Sequence, residues 1–206
     1  MFRHVHRWFP KVYAVPKDKV LKINLIETHP WEQRKVKDLF KVTRGYVLAA
    51  PETSENRTPE HPYPVYSSQT KNDGLMGYYK EYLYADAITW TTDGANAGTV
   101  RLRPGKFYCT NVCGVLLSDD GYANKAVTEA LNNIAWKHVS HVGNPKLMNN
   151  VISEIAISAP RSLEEQQRIS ELLASIDNLI TLHQRKQKEP EIGLFHSIFK
   201  YIKKLL

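Results

Sequence analysis

The chain has 206 residues, a length that suits one well-cored main domain plus a small appendage. Its 42% hydrophobic and 10% aromatic content excludes disordered and fibrous classes, and no apolar run approaches the roughly 20 residues of a membrane span. The net charge of +7 attracts phosphate, but residues 51–160 hold 9 Lys/Arg against 11 Asp/Glu, so nucleic-acid contact by the centre requires a local patch.

The opening "MFRHVHRWFPK" lacks the apolar core of a secretory signal, so the cytoplasm is the expected compartment. Residues 1–28 read as a basic arm without sustained period. From His29 to Pro160 the chain reads as one domain, entered by "WEQRKVKDLFKV", where Trp31, Val36, Leu39 and Phe40 share one face of a short helix. Pro51 to Pro64 reads as a surface loop. "PVYSSQ", "YYKEYLY", "DAITWTT", "GTVRLR", "FYCTN" and "CGVLLS" then have strand composition. They are divided by the turn-rich "TKNDGLMG" and by Asp93-Gly94, Pro104-Gly105 and Asp120-Gly121. The fold class this implies is α+β, a curled, mostly antiparallel sheet with covering helices and a long C-terminal helix.

Val127, Ala130, Leu131, Ile134, Ala135 and Val139 recur at helical spacing and predict a helix lying on that sheet. "GNPKLMNNVISEIAIS" predicts a turn followed by a strand carrying Val151, Ile155 and Ile157, ending at Ala159-Pro160. A second region, 161–206, opens with Ser162 to Glu165 at capping-box spacing. Ile169, Leu172, Ile176 and Leu179, widened by Leu173 and Ile180, then have coiled-coil spacing. Such a stripe either pairs with another chain or folds back on its own domain. Pro190 is expected to break this helix. Beyond it, Ile192, Phe195, Phe199, Ile202 and Leu206 form a second stripe out of phase with the first, beside Lys200, Lys203 and Lys204. Docking on protein suits that tail better than a membrane surface.

Catalytic motifs are incomplete. Gly94-Ala95-Asn96-Ala97-Gly98 has no following Gly-Lys-Ser/Thr for phosphate and magnesium, and no third glycine and helix for a dinucleotide. Asn144-Pro145 is followed by Lys146-Leu147 rather than by the proline and aromatic ring of an amino-methyltransferase loop. Asp119-Asp120 with Lys125 is the nearest grouping to a nuclease centre, and Asp120-Gly121 is more simply a turn. Nothing pairs His138 or His141 with Cys109 or Ser67 as a nucleophile. Cys109 and Cys113, placed on one strand, would lie about 13 Å apart, too far for a disulfide, and read as core thiols rather than metal ligands. No catalytic residue, metal site or cofactor is therefore expected in this chain.

Binding suits the composition better. Ser67, Ser68, Gln69, Thr91, Asp93, Asn96, Asn111 and Lys146 lie in or near turns, the placement of side chains that read base edges, while Arg101, Arg103 and Lys106 suit phosphates. An ordinary Asp-Gly hairpin accounts for Thr91 to Gly94 equally well on spacing alone.

The segments "WEQRK", "YPVYSSQ", "GLMGYY", "ITWTTDGANAG", "GKFYCTNVCGVL", "NPKLMNN" and "LEEQQRISELLASIDNLITLHQRK" stand in an order that resembles the specificity subunits of type I restriction-modification systems, from Trp31 to Lys188. The resemblance implies a non-catalytic target recognition domain reading one half of a split site on double-stranded DNA, with Gly94 letting its turn approach the duplex. It implies a helical region that docks modification subunits and, through them, restriction subunits. S-adenosylmethionine, ATP and magnesium belong to those partners. A full-length subunit resembles two such domains with two long helices; one of each here implies a half-subunit that pairs with itself, or a fragment. The rival expectations are an inert or regulatory fragment and a stand-alone DNA-modifying enzyme. Residues 1–28 and "QKEPEIG" onward depart from the family pattern.

Overall fold

The computed structural model describes residues 31–68 and 71–188. The basic arm, Gln69, the break at Pro190 and the second stripe lie outside the described residues. Instead of one helix, "WEQRKVKDLFKV" forms strand β1 (Glu32–Lys35), a single turn α1 (Val36–Leu39) and strand β2 (Lys41–Arg44). Val36, Leu39 and Phe40 are buried as their spacing requires, whereas Trp31 is exposed. An isolated short helix is costly to nucleate. The flanking strands instead find backbone partners: β1 on β8 (Ala156–Ala159) and β2 on β7 (Cys113–Leu117), both antiparallel.

The main sheet also contains β3 (Tyr63–Tyr66), β4 (Leu75–Tyr79), β5 (Tyr84–Thr91) and β6 (Val100–Cys109), in the order β2-β7-β5-β6-β3-β4. Among the described residues only β3 and β6 pair in parallel; the sheet is mixed, mostly antiparallel, curled and not closed into a barrel. "YYKEYLY" is divided between β4 and β5. Pro104-Gly105, expected as a turn, lies inside β6, where the β5–β6 register slips between Ala85 and Ala87. Gly105 (φ 72°) donates its N–H to Asp86 Oδ1 at 2.7 Å, and Asp86 itself has φ 46°. A bulge tolerates proline because the ladder is already broken there, and it bends the strand.

Side chains alternate across β5, which gives it two environments. Ile88 and Trp90 face a core with Val100, Leu116, Leu131 and Ile157. Ala87 faces a second cluster of Phe107, Cys109, Cys113 and Val115 inside the curl. The two cysteines are not on one strand: Cys109 ends β6 and Cys113 opens β7 across a tight turn closed by Cys113 N–H to the Thr110 carbonyl (3.0 Å). Both are free and buried, and burial raises both thiols, Cys113 to about 12.

Helix α2 (Lys125–Ala135) covers the first core with Val127 and Leu131, and a 3-10 turn follows at Trp136–His138. "NNVISE", expected to begin a strand, is helix α3 (Asn149–Glu154), which leaves Val151 exposed and Ile152 in the core. The long helix α4 (Leu163–Lys188) packs on α2 through polar groups. Ser170 Oγ accepts the Ala126 N–H (3.0 Å), Asn124 Nδ2 donates to Gln166 Oε1 (2.8 Å), and Lys125 pairs with Asp177 (2.6 Å). Asn124 Oδ1 meanwhile caps α2 by accepting the Val127 N–H. No helix among the described residues is long and apolar enough to cross a membrane.

Candidate nucleic-acid interface

The β5–β6 turn starts where the ladder ends. Thr91 and Thr99 exchange backbone bonds with the turn, and Gly94 (φ 90°) and Gly98 (φ 85°) supply its left-handed positions. Thr92 is fully buried and Thr91, Asp93 and Asn96 are half-buried. Three neighbouring segments are fastened to this turn. Gly94 N–H donates to the Pro145 carbonyl (3.0 Å) and Leu147 N–H to the Thr92 carbonyl (2.9 Å), docking the 140–147 loop. Trp90 Nε1 locks that loop from below through the Leu147 carbonyl (3.0 Å). Thr92 N–H donates to the Val112 carbonyl (3.1 Å), drawing in the turn that carries exposed Asn111. That turn holds the end of β3 and Ser67: Thr110 N–H donates to the Tyr66 carbonyl (2.9 Å) and Thr110 Oγ1 to Ser67 Oγ (3.0 Å), while Ser67 N–H donates to the Gly74 carbonyl (2.8 Å).

The result is a polar end of the curled sheet, with a cleft of about 110 Å³ lined by Ser67, Asp73, Thr91, Asn96, Arg101 and Arg103 among others. Lys146 Nζ stands 3.9 Å from Asp93 Oδ1, both partly exposed at the rim. Thus Ser67, Thr91, Asp93, Gly94, Asn96, Arg101, Asn111 and Lys146 gather at one end, with half-buried Ser68 adjoining. Lys106 is elsewhere: it pairs with Ala85, lies over the Tyr82 ring at 4.5 Å and borders a groove with Tyr63 and Tyr78. Arg103 is only 8% exposed and is committed to intramolecular bonds, with burial lowering its pKa, so its geometry is that of a scaffold rather than a surface contact.

Three residues escaped sequence reasoning. Asp73 pairs with Arg101 (3.3 Å) from within a stretch read only as a turn. Tyr46 and Val47, exposed at 64% and 77%, adjoin the same end because Tyr46 N–H donates to the Cys109 carbonyl. Gly45, where an added Cβ would strike that carbonyl at 2.0 Å, was the available signal for such a close approach.

Helix α4 takes the second of the two expected arrangements. The helix folds against its own domain, yet through Gln166, Ser170 and Asp177, leaving Leu172, Ile176, Leu179 and Ile180 exposed and Ile169 and Leu173 half-buried. Among the described residues nothing covers this apolar stripe.

Residues 28–191 match the family described as type I restriction modification DNA specificity domain. The chain is 38% identical over 142 residues to S.MpnORF289P N-terminus of Mycoplasma pneumoniae, named as a type I specificity subunit, covering 68% of this chain and 74% of that protein. It is 35% identical over 153 residues to the type I restriction enzyme MpnII specificity subunit of the same organism, covering 73% of this chain and 45% of the other. Its fold is similar to the type I restriction-modification S subunit from M. genitalium, with TM-score 0.61 at 21% identity over 81% of this chain and 45% of that one. It is also similar to a structure describing complex assembly and conformational transition of the type I R-M system, with TM-score 0.58 at 14% identity over 91% of this chain and 46% of the other. The chain spans about half the length of several of the relatives it matches, 49% in the case of S.MpnORF285P of M. pneumoniae. With the match running from the first described strand through the long helix, the chain belongs to the type I restriction-modification DNA specificity domain family.

Proposed function

We propose that this chain is a non-catalytic, cytoplasmic recognition module that reads one half of a bipartite site on double-stranded DNA and docks a type I modification subunit, and through it a restriction subunit, by the exposed stripe of α4. The observation that carries the reading is the convergence of Ser67 with the 72–74 turn, and of segments 91–98, 110–112 and 140–147, on one end of the sheet. Short polar side chains held by backbone bonds suit base edges, and Arg101 and Lys146 at the rim suit phosphates. S-adenosylmethionine, ATP and magnesium are assigned to the partners, and Lys106 serves as an outlying phosphate contact if the duplex extends along β6. Two copies joined through α4 would read inverted half-sites by two-fold symmetry.

Adenine methylation mapping tests this reading. Cells expressing the chain with cognate modification subunits should acquire a split methylated motif that vanishes when the chain is omitted. Methylation by the purified chain alone overturns the non-catalytic assignment. Partner binding without any motif replaces the reader by an inert or regulatory fragment.

A further inference from the structure

Arg101 and Arg103 are two residues apart on β6 and so leave the strand on the same side, yet they end in different places. Arg101 is exposed and meets the Asp73 carboxylate at 3.3 Å. Arg103 lies beneath: Nε donates to Thr89 Oγ1 (3.2 Å), Nη2 donates to the Asp73 carbonyl (2.5 Å), and the guanidinium stacks 3.7 Å from the Tyr66 ring centroid. The carbonyl it holds belongs to three successive left-handed residues, Asn72 (φ 50°), Asp73 (φ 53°) and Gly74 (φ 85°). L residues rarely adopt such a run, and it persists only where the surroundings over-determine it. Ser67 N–H fixes one end through the Gly74 carbonyl (2.8 Å), and Arg103 fixes the middle.

Resting on the DNA-reading assignment above, we propose that Arg103 is the positioning residue of the recognition face: it sets the 72–74 turn, and through Asp73 it sets where Arg101 meets a phosphate. A guanidinium suits this position because its planar fork serves two acceptors and a π-face together and stays charged. Asp73, held by its backbone, restrains Arg101 at the mouth of the cleft until a phosphate takes the carboxylate's place. Two arginines that look alike in sequence thus divide the work, one touching DNA and one deciding the geometry of the touch.

The full chain, assembled with modification subunits, is titrated onto a duplex carrying the mapped motif and onto one lacking it, at several salt concentrations. Hydrogen exchange at residues 72–74 is followed in the free chain. R101A should lower the log K against log salt slope by about 0.9 on both duplexes. R103M should accelerate exchange at 72–74 about tenfold or more, cut the preference for the motif by a similar factor, and leave the R101A slope unchanged when the two changes are combined. R103K, which retains a donor for the Asp73 carbonyl, should recover part of that loss. T89V, which keeps Arg103 and removes one anchor, should shift exchange and preference in the same direction as R103M. A slope that falls by about a further 0.9 when R103M is added to R101A makes Arg103 a phosphate contact in its own right and overturns the proposal. So does unchanged exchange at 72–74 in R103M or, if that variant fails to fold, in T89V. A parent chain without preference for either duplex sinks the recognition reading instead, and the exchange measurement still decides what Arg103 holds.

Discussion

Gly114 shows how much one missing carbon decides. A Cβ there would stand 2.1 Å from the Trp90 ring, which is buried and cannot swing aside without releasing the Leu147 carbonyl and, with it, the 140–147 loop. Gly114→Ala is therefore expected to destabilise the chain by about 1–3 kcal/mol through overpacking. Denaturant unfolding checks this, and an unchanged midpoint would show that the indole has room. At the same scale, sequence reading assigned Arg101 and Arg103 the same phosphate role but held nothing about depth. Depth follows from the curl of β6 and from Tyr66 and Thr89, which arrive from other strands.

At the level of elements, local pattern succeeded where the period was long and failed where a tertiary partner intervened. α2 follows its apolar spacing and its Asn124 cap. Val151 took a helical position because α3 packs beside α1, and Pro104-Gly105 stayed in β6 because Asp86 receives the bulge. α3 is further tied to the entry segment by Glu154, whose carboxylate accepts from Lys35 Nζ (2.8 Å) and Lys37 Nζ (2.6 Å). Those hydrogen bonds lower its pKa from 4.5 to about 2. A depressed carboxyl contributes stability that is complete above its unfolded value and lost as pH falls toward the folded one. Thermal unfolding of E154Q should accordingly have a shallower acid limb than the parent between about pH 4.5 and pH 2 at low salt, with most of the difference gone at high salt because the pair is exposed. Coincident limbs at low salt would falsify the tie.

At the scale of the whole molecule, α4 meets its domain mainly through Glu165, Gln166 and Ser170 and stands largely exposed from Glu171 to Leu182, apolar stripe included, unlike a helix that merely completes a core. Leu172 and Leu179, exposed at 61% and 66%, should therefore be tolerant in the isolated fold and intolerant in assembly. The double change to Glu is expected to leave thermal stability within about 0.5 kcal/mol of the parent while sedimentation shows only monomers. A sedimentation profile matching the parent removes the stripe as a dimer seam. What the sequence determined by itself is periodic and local: the strand-rich centre, the amphipathic helices, the turn at Asp93-Gly94 and a family-specific order of segments. Only the tertiary structure decided which turns meet, which of two arginines reaches the surface, and which residues of α4 stay exposed among those described. The reason is physical: hydrophobic period and turn chemistry act over a few residues, whereas the bulge in β6, the Thr110 and Trp90 hydrogen bonds and the α2–α4 clamp join residues tens of positions apart.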